Sequence, residues 1–371
     1  MRPIDRLTVL IKNHRNTFKR CFFLTKITAD NVPQYTKNIT SHTYGTAFTE
    51  QNQIQYCVSD VFKFIAMQLQ IQNIINQIAQ VIVGKPVQIK MALTCLFSNG
   101  HLLIEDLPGM GKTTLSQTLA QVLGLQFNRV QFTSDLLPAD ILGVNIYDTN
   151  KQSFVFHQGP VFANILLADE INRSNPKTQS ALLEAMAEKQ VTIDGVTHSL
   201  PDPFIVIATQ NPIQHTGTYA LPESQLDRFF MRIQLGYPDW HAEKQMLLQN
   251  IGGNTSQTPQ IISAGELLSI QKDVVKIRAS GAIIDYILKL VTLSRENDEF
   301  PNPLSPRASK AILLASKAWA YVHDRDFVIP EDVQDILPCL AEHRMRSALA
   351  DFRAEHSLTK RLLEQVDPIN T

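Results

Sequence analysis

"IEDLPGMGKTTLSQTLA", Ile104–Ala120, places a glycine-bearing turn between an apolar run and a helix-forming run. Upstream, His101–Glu105 ("HLLIE") reads as a short buried strand. Downstream, "TLSQTLAQVLG" reads as a helix closed by Gly124. Strand, glycine loop and helix, in that order, are the context of a phosphate-binding loop. Gly109 and Gly111 let main-chain N–H groups turn toward phosphate oxygens, and the following helix contributes the positive end of its dipole. The cradle is predicted from Pro108, Gly109, Met110, Gly111, Lys112, Thr113 and Thr114. In it Lys112 reaches the β/γ-phosphates of ATP and the Thr113 hydroxyl binds Mg²⁺. The general spacing G-x-x-x-x-G-K-[ST] asks for glycine where this chain has Asp106. The alternative, a plain turn capping a helix, is therefore weighed against the rest of the chain.

"NILLADEINRSNPKTQSALLEAMAEKQ", from Asn164, supplies that support. Ile165–Ala168 is continuously apolar, as a strand covered on both faces should be. Two carboxylates stand at its end, where ligands of open α/β sheets bind. Asp169 is predicted to hold Mg²⁺ through water and Glu170 to orient and deprotonate the attacking water. The bland alternative is an exposed acidic turn. After the turn Ser174 is the predicted N-cap and Pro176 a first-turn residue, with Ala181, Leu182, Ala185 and Met186 forming a packing stripe. Arg173 reads equally as a surface residue or as one reaching a neighbouring subunit's nucleotide. A third buried strand, Phe204–Ala208, ends in Thr209-Gln210-Asn211, where Asn211 could hydrogen-bond the γ-phosphate or the water. "LPESQLDRF" then offers a short helix ending at Arg228, an arginine suited to stabilising a γ-phosphate in trans. The competing reading pairs Arg228 with Asp227 or Glu223.

The remaining composition narrows the class. A length of 371 residues with 44% hydrophobic content suits two to three soluble globular domains. The net charge of −1 gives no global attraction to nucleic acid or membrane. Cys21, Cys57, Cys95 and Cys339 are far apart with no CxxC pair, which suggests neither a disulfide framework nor a zinc site, and a reducing, cytoplasmic setting fits. No apolar run reaches membrane-spanning length. Residues 1–66 are basic early, then rich in Thr, Asn, Ser and Gln without sustained periodicity, so they are expected to be poorly ordered: a floppy extension or a sequence preceding a true start at Met67. From Met67, Leu69, Ile71, Ile75, Ile78, Val81 and Ile82 stand at helical spacing. Gly84 then closes the helix and a second begins near Pro86.

Four blocks, "GHLLIEDLPGMGKTTLSQTLA", "QFTSDLLPADILG", "FHQGPVFANILLADEINRSNPKTQSALLEAMAE" and "ATQNPIQHTGTYALPESQLDRFFMRI", together resemble the MoxR-type AAA+ ATPases. The resemblance runs from Met67 to Arg346, about three-quarters of the chain. Proteins of that family often carry Asp where Asp106 stands, which removes the objection to the loop. The resemblance implies an α/β fold: an αβα AAA+ core with a five-stranded parallel sheet, followed by a small all-α lid. It implies Lys112 and Thr113 as Walker A, Asp169 and Glu170 as Walker B, Asn211 as sensor 1, Arg228 as arginine finger and Arg307 as the lid arginine called sensor 2. Read from the residues alone, Arg307 opens the helix "RASKAILLASKAWAYV" against the dipole, a placement more easily explained if a phosphate shares the site. The family's helix-2 hairpin matches "GVNIYDTNKQSFVFHQGPVF", two alternating runs around "DTNK". "KQVTIDGVTHSLPDPF" reads as a second hairpin turning at Asp194-Gly195.

The resulting organisation is an extension over 1–66, a core over 67–250, a lid over 260–350 and a polar helical tail over 351–371, with "GGNTSQTPQ" as the linker. Lid helices are expected near 263–278, 281–296, 306–323 and 330–341. By resemblance, the function is Mg-dependent ATP hydrolysis in a ring, usually a hexamer, that remodels or activates proteins, often by helping insert a metal or cofactor. The usual partner carries a von Willebrand A domain. A nucleic-acid-directed motor of the same fold is the runner-up. It is disfavoured because there is no basic aromatic surface, helix-turn-helix or zinc module, and "YDTNKQSF" carries one Lys and one Asp. A passive nucleotide-dependent switch would need a broken Glu170 or Arg228 position, and a small-molecule kinase would need an acceptor-binding pattern that is not visible.

Overall fold

The computed structural model describes residues 69–211, 219–250, 258–346 and 357–368, all inside one compact unit. The expectations for residues 1–66 and for most of the GGNTSQTPQ linker fall outside the described residues. In chain order the strands are β1 (Leu102–Glu105), β2 (Phe127–Gln131), β3 (Gly143–Asp148), β4 (Ser153–Gln158), β5 (Ile165–Asp169), β6 (Gln190–Ile193), β7 (Val196–Ser199), β8 (Ile205–Gln210) and β9 (Met231–Ile233). Five of them form one sheet in the order β2-β5-β8-β1-β9, every pairing parallel.

Parallel strands are covered on both faces, and the period of two divides their side chains between two cores. Leu102, Ile104, Ile165, Leu167, Ile205 and Ile207 join one cluster, and Leu103, Leu166, Ala168, Val206 and Ala208 the other. The chain leaves β1, crosses to β2 at the far edge, returns through β5 and β8, and adds β9 on the other side of β1. The winding therefore reverses at β1, where ligands of open sheets bind at the carboxyl ends.

Both hairpins are present. β3 and β4 pair antiparallel, and β6 and β7 turn at Asp194 (φ 51°) and Gly195 (φ 79°), the two positive values a two-residue primed turn requires. The first helix spans 69–81, with Ile71, Ile74, Ile75, Ile78 and Ile82 buried. Leu69 and Val81 face outward instead, because the buried stripe follows the 3–4 spacing through Ile74. Gly84 (φ 75°) ends this segment, and a Cβ there would lie 2.5 Å from the Ala242 Cβ. The turn and a close approach both demand glycine.

Helix Pro86–Phe97 packs on the C-terminal helices Ala264–Lys276 and Pro306–Val322, and Gly281–Glu296 and Pro330–Met345 join the same core cluster by packing on Pro306–Val322. Phe97 and Tyr321 meet edge to face at 6.2 Å. Helix Pro330–Met345 runs through Pro338, four residues beyond the sequence expectation, because Leu340, Ala341 and Met345 are buried on one face. The tail is not merely polar: helix Leu358–Glu364 buries Leu362. Glu342 anchors it, accepting hydrogen bonds from Leu358 N (3.1 Å), Thr359 N (3.0 Å) and the Ser357 and Thr359 hydroxyls. Burial pushes the Glu342 carboxyl up, but the donors from Thr359, Ser357 and Arg346 outweigh it and hold the group at about 2.

His101, just before β1, uses both ring nitrogens inside the sheet. Nδ1 accepts from Val206 N (3.0 Å), which fixes the tautomer and leaves Nε2 to donate to Met186 O (3.2 Å). Burial pulls His101 down to about 4 from 6.5, and buried His343 moves the same way. At these two histidines the folded state thus binds fewer protons than the unfolded chain, so their contribution to stability is complete above pH 6.5 and is lost as pH falls toward 4. His101 alone contributes roughly 3 kcal/mol to that loss. Buried Glu105, raised to about 7, acts in the opposite sense, so the measure is the difference: between pH 7.5 and 4.5 the urea midpoint should lose more in the wild type than in His101→Gln. Parallel slopes would contradict the assignment.

Candidate nucleotide site and a basic pocket

The loop 106–111 leaves the carboxyl end of β1 and enters helix Lys112–Val122. Gly109 (φ 82°) and Gly111 (φ 86°) both lie in the left-handed region. A Cβ at either would meet nothing within 4 Å, so conformation rather than crowding selects glycine, and the loop borders open space. No side chain caps this helix at Gly111, leaving its first N–H groups to that space. Lys112 Nζ donates to Asp106 O at 2.6 Å. Burial draws the Lys112 ammonium below the ordinary lysine range, against the pull of Asp106, Asp169, Glu170 and Glu105. The fold thus brings the loop lysine within electrostatic range of both predicted Walker B carboxylates.

Asp169 ends β5. Its Oδ1 accepts from the Thr209 hydroxyl (2.6 Å) and its Oδ2 pairs with Arg129 Nη2 (2.7 Å). Glu170 lies just past the strand with φ 56°, a conformation that L side chains rarely adopt and that is often stored at functional positions. Its N–H donates to the Thr209 hydroxyl (2.9 Å), and its Oε2 accepts from Gln131 Nε2 (2.8 Å) and Arg173 Nε (3.1 Å). Arg173 therefore serves its own chain's glutamate here, with half of its side chain exposed. Asn211 follows directly on Gln210, whose carbonyl accepts from Asp106 N (3.2 Å) at the root of the loop. The cap of helix Pro176–Glu188 is Asn175, not Ser174. Asn175 Oδ1 accepts from Thr178 N (3.0 Å), while buried Ser174 donates to Ile171 O (3.2 Å).

Arg129, Gln131 and Thr209 are the site residues that sequence reasoning missed. Arg129 and Gln131 alternate along β2, with Gln131 in register opposite Asp169, so a polar alternation in "FNRVQ" was the available signal.

Arg228 and Arg307 are together, but not with Lys112. They line a pocket of about 330 Å³ with Lys189, Lys310 and Arg344, and among the described residues Asp227 is the one carboxylate there. Asp227 pairs with Arg344 (2.8 Å), while Arg228 donates to Leu183 O (2.8 Å). Asn99, Gly100 and His101 also line this pocket, placing it at the amino end of β1. The loop leaves the carboxyl end, roughly 13 Å along the strand at 3.3 Å per residue. Arg307 is carried there because its helix, Pro306–Val322, packs on helix Pro86–Phe97, which leads into the amino end of β1. Ser305 caps that helix by accepting from Ala308 N (3.2 Å), so the Arg307 side chain is not used as a cap.

Comparison with known proteins agrees with this architecture. The "ATPase family associated with various cellular activities (AAA)" matches residues 101–231, and the "AAA lid domain" matches residues 294–366, including the tail helix. "Chaperone MoxR1" of Mycobacterium tuberculosis is 41% identical over 308 residues, covering 80% of this chain and 81% of that protein. "Uncharacterized protein YeaC" of Bacillus subtilis is 44% identical over 272 residues, covering 73% and 85%. A crystal structure of a Cytophaga hutchinsonii protein superposes with a TM-score of 0.76 at 37% identity, over 84% of this chain and 98% of that one. With the five-stranded parallel sheet, the glycine loop and the helical lid in place, this chain belongs to the MoxR group of AAA ATPases.

Proposed function

We propose that the chain hydrolyses ATP at the carboxyl ends of β1 and β5, and that Arg228 and Arg307 of a second copy complete the site within a ring. The observation carrying this reading is the separation of the two sets. Lys112, Asp169 and Glu170 converge at one end of the sheet and the cationic pocket lies at the other. Such a molecule presents a phosphate cradle on one side and phosphate-stabilising cations on the other, as a head-to-tail ring requires.

The loop residues Pro108–Thr114 would hold the phosphates, with Lys112 exchanging Asp106 O for β/γ-phosphate oxygens. Thr113 and Asp169 offer the hard oxygen donors that suit Mg²⁺, which when bound would neutralise phosphate charge. Asp169 is kept oriented by Thr209, and half-exposed Arg129 is able to swing away. Glu170 would take the proton from the attacking water once Gln131 and Arg173 release its Oε2. Asn211 would donate to the γ-phosphate or the water, and the incoming arginines would offset the charge that develops on transfer.

The turnover would drive remodelling or activation of partner proteins. The M. tuberculosis relative is named as a chaperone, which supports that role. Its finer parts, proposed with it, are a hexameric ring, a von Willebrand A domain partner and assistance in inserting a metal or cofactor. So is the division into a core over 67–250, a lid over 260–350 and a tail over 351–371. The test is the ATPase rate per subunit against protein concentration, with mass measured with and without ATP. The rate per subunit should rise with concentration alongside assembly. A rate independent of concentration in a protein that stays monomeric would overturn the ring.

A further inference from the structure

Asp106 replaces the first glycine of the general phosphate-loop pattern, and three contacts meet on it. Its N–H donates to Gln210 O (3.2 Å), extending the β1–β8 ladder to the residue before Asn211. Its main-chain oxygen accepts from Lys112 Nζ (2.6 Å). Its carboxylate Oδ2 accepts from Leu235 N and from Gly236 N (2.9 Å). A glycine could supply the first two contacts but not the third.

Leu235 and Gly236 follow β9 and begin the segment that leads through Tyr237 into helix Trp240–Asn250 and on to the lid. Gly236 turns with φ 65°, and Lys85 Nζ donates to Tyr237 O, so this segment is tied down on both sides of the turn. Asp106 is only 9% exposed. Burying a carboxylate is costly unless donors compensate, and the N–H groups of Leu235 and Gly236 are those donors here. One residue thus touches the loop lysine, the tip of the strand leading to Asn211, and the segment after β9.

We propose that Asp106 is a positioning residue that couples occupancy of the phosphate loop to the segment after β9, Leu235–Tyr237, from which the chain runs on toward the lid. The proposal rests on the nucleotide-site reading above. When Lys112 turns to a phosphate it gives up the Asp106 carbonyl, and the resulting adjustment of residue 106 is delivered through its carboxylate to the amides of Leu235 and Gly236.

Hydrogen–deuterium exchange on the full chain, with and without ATP in a Glu170→Gln background that retains the nucleotide, tests this directly. ATP should protect 107–113 and change exchange at 235–236 by roughly fivefold or more, as one net hydrogen bond implies. Asp106→Gly restores the general motif, so it should keep ATP protection at 107–113. It should nevertheless show fast exchange at 235–236 that no longer responds to ATP. Asp106→Asn keeps one oxygen able to accept both N–H groups and should restore the response. In steady state on the otherwise wild-type chain, Asp106→Gly should lower kcat several-fold more than it raises KM. An unchanged ATP response at 235–236 in Asp106→Gly overturns the coupling. So does a wild-type Asp106 protein in which 107–113 is protected while 235–236 is indifferent to ATP, an outcome that leaves the nucleotide site standing and needs no variant at Asp106. If ATP protects nothing at 107–113, both readings fall together.

Discussion

Glu170→Gln should bind ATP as tightly as the wild type and turn it over about 10³-fold more slowly, the range expected for loss of a general base. Glutamine matches glutamate in shape and can still accept from Gln131 and Arg173, so the local packing and the left-handed backbone at residue 170 are undisturbed. It cannot take a proton from water. Binding is carried elsewhere, by the loop and by Lys112, which loses one nearby negative charge and keeps Asp106, Asp169 and Glu105. Equilibrium binding and single-turnover hydrolysis separate the two effects. Turnover within tenfold of wild type would remove Glu170 from the proposed role and leave Asp169 as the carboxylate to examine.

Arg228→Ala should lower the rate on the order of 10³-fold, the effect of removing an arginine that stabilises phosphoryl transfer. In the proposed ring this loss is complementable. Arg228 and Lys112 stand at opposite ends of β1, so each active site would draw them from different subunits. Lys112→Ala and Arg228→Ala proteins, each inactive alone, should regain activity on mixing. In a randomly mixed one-to-one ring about a quarter of the interfaces join an intact cradle to an intact arginine. Arg228→Lys should recover little, because the ammonium lacks the planar fork that engages two phosphate oxygens. Arg307→Ala should complement in the same direction, since Arg307 shares the pocket. A mixture as inactive as its components would remove Arg228 from the proposed role in trans.

Glu170 and Arg228 differ in what had to be known to reach them. The carboxylates at 169 and 170 stand at the end of a continuous apolar run, and the loop at 106–111 stands between a strand and a helix. Both are patterns of adjacent residues, because a buried parallel strand and a phosphate loop are built from local chain geometry. The two hairpins were legible for the same reason: Asp194-Gly195 carries its own turn requirement. The helix cap at Asn175 rather than Ser174 shows the limit even locally, since two neighbouring residues are both good caps and burial of Ser174 against Ile171 decides between them.

Other features depend on pairing across distance. Arg129 and Gln131 reach the carboxylates only because β2 lies in register beside β5, and Thr209 only because β8 lies on the other side. Asp106 reads in sequence as a blemish in a motif, and becomes a tie to the segment after β9 only when β9 pairs with β1. Arg307 reads as a cation at a helix start, and its place beside Arg228 follows from docking the lid on helix Pro86–Phe97 through a shared apolar core. The sequence by itself determined the glycine loop between strand and helix and the two carboxylates at a strand end, because each is written in local periodicity and glycine conformation, while the fold class came from the resemblance of four long blocks to a family. Which side chains restrain those carboxylates, and that the arginines lie out of reach of their own cradle, only the tertiary structure decided, because strand register and helix docking are set by contacts between residues far apart in the chain.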